Sequence, residues 1–318
     1  MRWVLAALAA TAVGWAHAQP QAEPIEWLKR IASAARELDY AGTFVYQHDS
    51  QVETSRIVHS SDSSGDYAKL EALDGPPREI IRSNEEIRCY LPETKTVKIE
   101  TRKFDKSFPA LLPEGFLRVT EHYNVKLGPV NRVAGHNCQV LILEPKDNLR
   151  YGRRFCAETQ TGLLLKARTL NEKNELVEQI AFTHLNIGEI DREMLKSKYA
   201  DEKSEWKVDH TAVPASASKE TGWTVKSQPA GFKKIMEMKR SMAGKREPVS
   251  HLVFSDGLAA VSVFIEPATR GGAPNQGAFQ QGAINVYTRQ TGEQMITVLG
   301  EAPAATVAQI GNSVAPVK

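Results

Sequence analysis

Cysteine is scarce in this 318-residue chain: three residues with no C-x-x-C pair, too few for a disulfide scaffold and wrongly placed for a zinc ribbon. An excess of one charge is missing as well. Lys and Arg number 40 against 38 Asp and Glu, which excludes a nucleic-acid binder working through net charge and, equally, an acidic disordered chain. After residue 15 no apolar run approaches the roughly 20 residues that a membrane-crossing helix needs. No G-x-S-x-G, H-E-x-x-H, phosphate loop or dinucleotide fingerprint occurs, and the eight histidines show no metal-ligand spacing. His48 and His59 read as ordinary polar strand residues. No catalytic residue, metal, cofactor or nucleic acid is expected. What is present is a usual share of apolar residues, 42%, in a length that suggests about two domains.

Met1 and Arg2 precede an apolar stretch from Trp3 to Trp15, and Ala16, His17 and Ala18 form an A-x-A site. This is the pattern of a secretory signal peptide over residues 1–18, so a mature protein soluble outside the cytoplasm and starting near Gln19 is expected. Pro24 to Leu38 repeats apolar residues at helical spacing. Short β-rich runs follow at about ten-residue intervals, broken by turn signals such as residues 62–65 and 74–77. They include 43–48, 53–59, 67–73, 79–82, 87–91 and 96–101, then 118–126, 138–144, 150–157, 163–171 and 176–187. Phe104–Phe116 is too proline-rich for a central strand and reads as an excursion over the sheet. One amphipathic helix with about ten strands implies a strongly curved sheet or partial barrel over residues 19–196. Residues 197–220, crowded with charge and then small and polar, read as a linker. Residues 221–318 form a smaller α+β domain with two hairpins, 251–265 and 283–299, and a closing helix from Pro303 to Ile310. Between the hairpins, residues 268–282 are Gly- and Gln-rich and read as a loop.

Cys138 and Cys156 bracket a hairpin whose turn centres on Asp147. That register opposes the two cysteines and pairs Glu144 with Arg150, so an exported chain is expected to bridge them; two buried thiols are the other reading. Cys89 is left over.

The stretches Leu73–Ile81, Pro145–Tyr151, Phe254–Leu258 and Ile296–Glu301, in this order and at this spacing, resemble the RseB/MucB family from about Pro24 to Val314. The resemblance implies a lipoprotein-carrier-like first domain, a half-open antiparallel β-barrel closed by helices, beside a smaller C-terminal α+β domain. It also implies a periplasmic negative regulator of an envelope-stress sigma factor, with no enzymatic activity. Such a regulator binds the periplasmic domain of an inner-membrane anti-sigma factor and shields it from regulated proteolysis; lipid or a lipopolysaccharide fragment is the ligand that releases it. The alternative is a periplasmic lipid or lipoprotein carrier, and a homo-oligomer is left open.

A half-open barrel leaves an apolar concavity suited to acyl chains. Candidate lining is Phe44, Tyr46, Leu70, Ile80, Val97 and Ile99 on strands, with Phe108, Leu111, Leu112 and Phe116 from the excursion. Closed core is the competing reading for the strand residues. Residues 221–318 carry ten Lys and Arg against six Asp and Glu. Lys233, Lys234, Met236, Met238, Lys239 and Arg240 form a basic, methionine-bearing run that admits a helix or a strand, and the family resemblance favours the strand. It suits an acidic partner segment or lipid phosphates, the other reading being a solvated face.

Overall fold

The computed structural model describes residues 22–101, 107–112, 118–200, 206–210, 220–240, 247–268 and 276–317. Residues 1–18, Phe116 and much of the excursion lie outside them. Helix α1 (Ala22–Glu37) turns Leu28, Ile31, Ala34 and Ala35 onto one buried stripe, as their spacing dictates. Strands β1 (Tyr40–His48), β2 (Gln51–Asp62), β3 (Gly65–Ala72), β4 (Glu79–Ser83), β5 (Glu86–Leu91) and β6 (Thr96–Thr101) form one continuous meander. A second meander comprises β7 (Tyr123–Val133), β8 (His136–Pro145), β9 (Gly152–Glu158), β10 (Leu164–Leu170) and β11 (Leu176–Ile187).

Pairing of β1 with β11 fuses the two into one sheet, to which β12 (Lys207–His210) adds in parallel beside β6. The strand order runs from β12 to β7 without closing. Helix α1 nevertheless touches β2, β7 and β10, which are far apart in that order, so the sheet curls around it as a half-open barrel. Gly42 permits the tightest part of this curl. A Cβ there would lie 2.6 Å from the His184 carbonyl oxygen and 2.8 Å from the Phe182 ring.

Three expectations for the elements before residue 211 are corrected. The run from Arg118 opens with a helical turn, α2 (Val119–His122), before β7 begins. Lys146 takes up its free carbonyls: the backbone N–H donates to His122 O at 2.9 Å and Nζ to Thr120 O at 2.9 Å. The β8–β9 register is two residues off the one expected. Cys138 faces Glu158 and Val140 faces Cys156, so the cysteines sit on a diagonal, 5.3 Å apart at Cα, and are bridged. The slip arises because Arg150 leaves the strand for other partners, while Glu144 pairs with Lys126 on β7 at 2.6 Å. The segment expected as a linker from residue 197 lies against the first sheet as far as His210. Ser197 Oγ donates to Glu79 at 2.7 Å, Lys198 pairs with Glu71, and Trp206 packs on Tyr90 and Tyr199. Residues 201–205 and 211–219 fall outside the described residues.

The second domain comprises β13 (Trp223–Val225), β14 (Lys233–Arg240), β15 (Val249–Ser255), β16 (Ala260–Pro267), β17 (Gly277–Gln281), β18 (Ile284–Thr291), β19 (Gln294–Gly300), α3 (Ala304–Ser313) and β20 (Val314–Pro316). Six strands form an antiparallel sheet in the order β14-β15-β16-β19-β18-β17, and β13 pairs with β20. Val261, Val263, Ile296 and Val298 face Val307 and Ile310 of α3, all without exposed surface. The loop expected over residues 268–282 contains β17, because Phe279 finds Val286 opposite it and Gln280 closes the turn onto Gly282 O at 2.9 Å.

Replacing Cys138 and Cys156 by alanine removes an 18-residue cross-link. The double variant is expected to lose about 3 kcal/mol of unfolding free energy by loop entropy, read from urea titrations of both proteins.

Candidate binding sites

Inside the curl, the strands from β2 to β6 and the stretch Ser107–Ala110 border a hollow of about 350 Å³. Ile57, Leu70, Ile80, Ile87 and Phe108 supply its apolar wall. His59 is buried in that wall, stacked on Tyr40 at 4.8 Å, and its Nδ1 donates to Leu38 O at 2.7 Å. Nε2 of the same ring lies 2.9 Å from Asp66 Oδ1, which also accepts from Arg82 at 2.9 Å. Burial raises the Asp66 carboxyl, but the His59 hydrogen bond and the Arg82 charge overcome it and hold the group below the ordinary carboxylate range. Cys89 faces this hollow, and burial pushes its thiol up, away from the reactive thiolate.

The expected lining residues separate into three groups. Leu70, Ile80 and Phe108 line the hollow. Tyr46 and Leu111, again with Phe108, line a second cavity between the domains. Phe44 and Leu112 are closed core, 6% and 2% exposed. Val97 and Ile99 are corrected outright. They face the outside of the sheet and pack with Tyr90, Tyr199 and Trp206, while Lys98 and Glu100 of the same strand point into the hollow.

Residues 233–240 form a strand, β14, with one neighbour, β15, at the end of the second sheet. A bulge at Ile235 leaves that side chain 63% exposed and sets Met236, Met238 and Arg240 opposite Val253, His251 and Val249, all on one face. Lys233, Lys234 and Lys239 are exposed, with Lys234 paired to Glu237. The guanidinium of Arg240 stands 6.0 Å over the Phe264 ring, and His251 stacks on the same ring at 4.2 Å. His251 is 5% exposed and neither ring nitrogen has a hydrogen-bond partner. Burial, followed by the Arg240 charge, pushes its pKa down to about 4.

The contact that residue-by-residue reading missed joins the two domains. Arg150, in the β8–β9 turn, has no exposed side-chain surface. Its Nε donates to Asp147 Oδ1 at 3.0 Å, Nη1 to Asp256 Oδ2 at 3.0 Å, and Nη2 to the Ala230 carbonyl at 2.6 Å. The rings of Tyr123 and Phe232 flank the guanidinium at 5.8 and 5.5 Å. Asp256 is equally enclosed and uses its other oxygen to accept from the Leu258 and Ala259 amides. Thr306 donates to Leu149 O at 2.5 Å and Asn285 Nδ2 to the Tyr151 hydroxyl at 2.8 Å. Gly231 lets the chain pass His122, since a Cβ there would overlap that ring. Arg150 lies in Pro145–Tyr151 and Asp256 in Phe254–Leu258, so two stretches that carried the family resemblance touch each other. The signal available in sequence was an Arg set three residues after a turn Asp, with an Asp-Gly turn in the second domain.

Among the described residues no cluster of His, Cys, Asp or Glu could hold a metal, and no helix is long and apolar enough to cross a membrane. Two clasped domains, cavities inside and between them, and a basic edge strand define the class: a two-domain binding protein. The chain belongs to the MucB/RseB family, matching the MucB/RseB N-terminal domain over residues 23–205 and the MucB/RseB C-terminal domain over residues 217–315. Among its relatives, the sigma factor AlgU regulatory protein MucB of Pseudomonas aeruginosa is 32% identical over 309 residues, covering 93% of this chain and 92% of that protein. The sigma-E factor regulatory protein RseB of Escherichia coli K12 is 23% identical over 90% of this chain and 89% of its own length. A crystal structure of MucB in complex with MucA(peri) matches 93% of this chain and 100% of the MucB chain, at 30% identity and a TM-score of 0.73. A Pseudomonas aeruginosa MucA/MucB complex gives 0.74 at the same identity, with 93% and 99% covered.

Truncating Arg150 to alanine strands Asp256 in a dry interface, so the variant is expected to lose about 3–5 kcal/mol in denaturant titration. His251 generates a pH effect of definite sign. Its folded pKa lies below the unfolded value of 6.5, so the unfolded chain takes up the proton first and stability falls as pH drops from 6.5 towards 4. Comparison of urea midpoints at pH 7 and pH 5 should show a smaller loss in His251→Phe than in wild type.

Proposed function

We propose that the chain is an exported regulator: residues 1–18 are removed, and the mature protein binds the periplasmic domain of an inner-membrane anti-sigma factor. In this reading residues 19–196 form the lipid-sensing unit and residues 221–318 the unit that contacts the client, with the described part of the intervening segment lying along the first sheet. The partner-facing element is β14, where Lys233, Lys234, Lys239 and Arg240 offer positive charge to an acidic segment and Met236 and Met238 an adaptable apolar contact. Covering that segment denies it to the protease that would otherwise start its degradation. Lipid entering the hollow favours the unbound state and releases the client.

The observation that carries this reading is the match of both domains, in order and along 93% of the chain, to MucB in complex with MucA(peri). The hollow supports the lipid limb, because Ile57, Leu70, Ile80, Ile87 and Phe108 give it an apolar surface beside the charged Arg82, Lys98 and Glu100, and its volume falls in the range of small-ligand pockets. Lipid need not act strongly. A preference of about 1.4 kcal/mol for the free conformation weakens client binding tenfold, and the client weakens lipid binding by the same factor.

The experiment mixes the mature protein with the purified periplasmic domain of the anti-sigma factor from the same organism and adds the initiating protease. The expected result is a stable complex in which the client survives, and loss of protection when Lys233, Lys234, Lys239 and Arg240 are changed together to glutamate. Cleavage at the same rate with and without the protein contradicts the proposal.

A further inference from the structure

The concave face of the first sheet does not stop at the hollow. Phe108 lines the hollow on one side and, on the other, a second cavity of about 390 Å³. Its ring is pinned between Phe44 and Phe182, with centroids 5.2 and 4.9 Å away, and so acts as a partition. The second cavity has one wall from each domain. Phe155, Ala167 and Ile180 face it from the inside of the barrel; Leu258, Ala260 and Leu299 face it from the second domain.

Gln179, Ser262 and Glu301 also line this cavity, and at one end Tyr46, Arg153, Thr169 and Glu178 form a polar cluster engaged with itself. The Tyr46 hydroxyl donates to Glu178 Oε2 at 2.7 Å, Thr169 Oγ1 donates to Glu178 Oε1 at 2.8 Å, and Arg153 reaches both Thr169 and Glu178. Glu178 is 9% exposed, and both of its oxygens are occupied. Burial and the Glu178 hydrogen bond push the Tyr46 hydroxyl upward, which keeps it a donor. A polar cluster satisfied from within does not call for water or for a polar ligand. What the cavity offers an occupant is its two apolar walls, in a volume typical of small-ligand sites.

We propose that the interdomain cavity is a second alkyl-chain site, so that the protein holds two acyl chains, one on each side of Phe108. The proposal rests on the reading of the hollow as a lipid site and extends it to a place where the ligand touches both domains. A chain in the hollow meets the first domain alone. A chain beyond Phe108 lies against Leu258, Ala260 and Leu299 and is bound according to where the second domain stands. Such a ligand has the differential contact that a shift between domain arrangements requires.

Isothermal titration of the full mature chain with laurate tests it, using variants that fill one compartment at a time. Ala260→Trp places bulk at an exposed position on the cavity wall, and Ser262→Phe is a second filling variant on the same strand. Ala68→Trp fills the hollow. The expected result is two laurate chains per wild-type molecule and one in each of Ala260→Trp, Ser262→Phe and Ala68→Trp, with unchanged circular dichroism. Two chains retained in both Ala260→Trp and Ser262→Phe overturns the second site. So does a wild type that takes one chain and loses it in Ala68→Trp, an outcome that leaves the hollow's lipid reading intact. A wild type that takes up no laurate overturns both.

Discussion

The buried guanidinium of Arg150 is the centre of the contact between the two domains, with the Thr306–Leu149 and Asn285–Tyr151 hydrogen bonds beside it. It is cut off from water and bonded to Asp147 in its own turn, and to Asp256 and the Ala230 carbonyl in the other domain. Burying two charges is costly, and their mutual attraction offsets the cost only when every donor and acceptor finds a partner. Here Asp256 is matched by two backbone amides as well as by Arg150. The contact is therefore directional, and unlike a greasy interface it tolerates little sliding. The half-barrel's inner face meets the second sheet at a fixed place, which keeps the interdomain cavity open.

The half-barrel itself was largely legible. Alternating apolar residues from Thr43 to Thr101 and from Cys138 to Ile187, punctuated by turn residues, specify the meanders, and the spacing of Leu28, Ile31 and Ala35 specifies the helix they wrap. What escaped reading was set by distant segments. On β6, Val97 and Ile99 alternate with Lys98 and Glu100, so the pattern alone puts the apolar pair inward. Tyr199 and Trp206, about a hundred residues later, cover the outer face and reverse that assignment. The hairpin register failed for a similar reason, since the residue placed in the ladder, Arg150, is claimed by the other domain. On β14 the residues alone left helix and strand open, the family resemblance favoured the strand, and nothing in the pattern marked the bulge that exposes Ile235.

Position in the fold gives each region a different role. The hollow belongs to the first domain alone, the basic edge strand to the second, and the cavity beyond Phe108 to both. For this member of the MucB/RseB family, a ligand in the proposed interdomain site would touch both domains at once.

The central claim is that this buried ion pair sets the position of one domain on the other. Spin labels at Asn124 and Gln290, exposed residues on opposite sides of the interface, report it by double electron–electron resonance in a Cys89→Ser background. The account predicts one narrow distance distribution in the otherwise native protein and a broad one after Arg150→Ala. Equal widths in the two proteins, or a broad distribution in both, would contradict it.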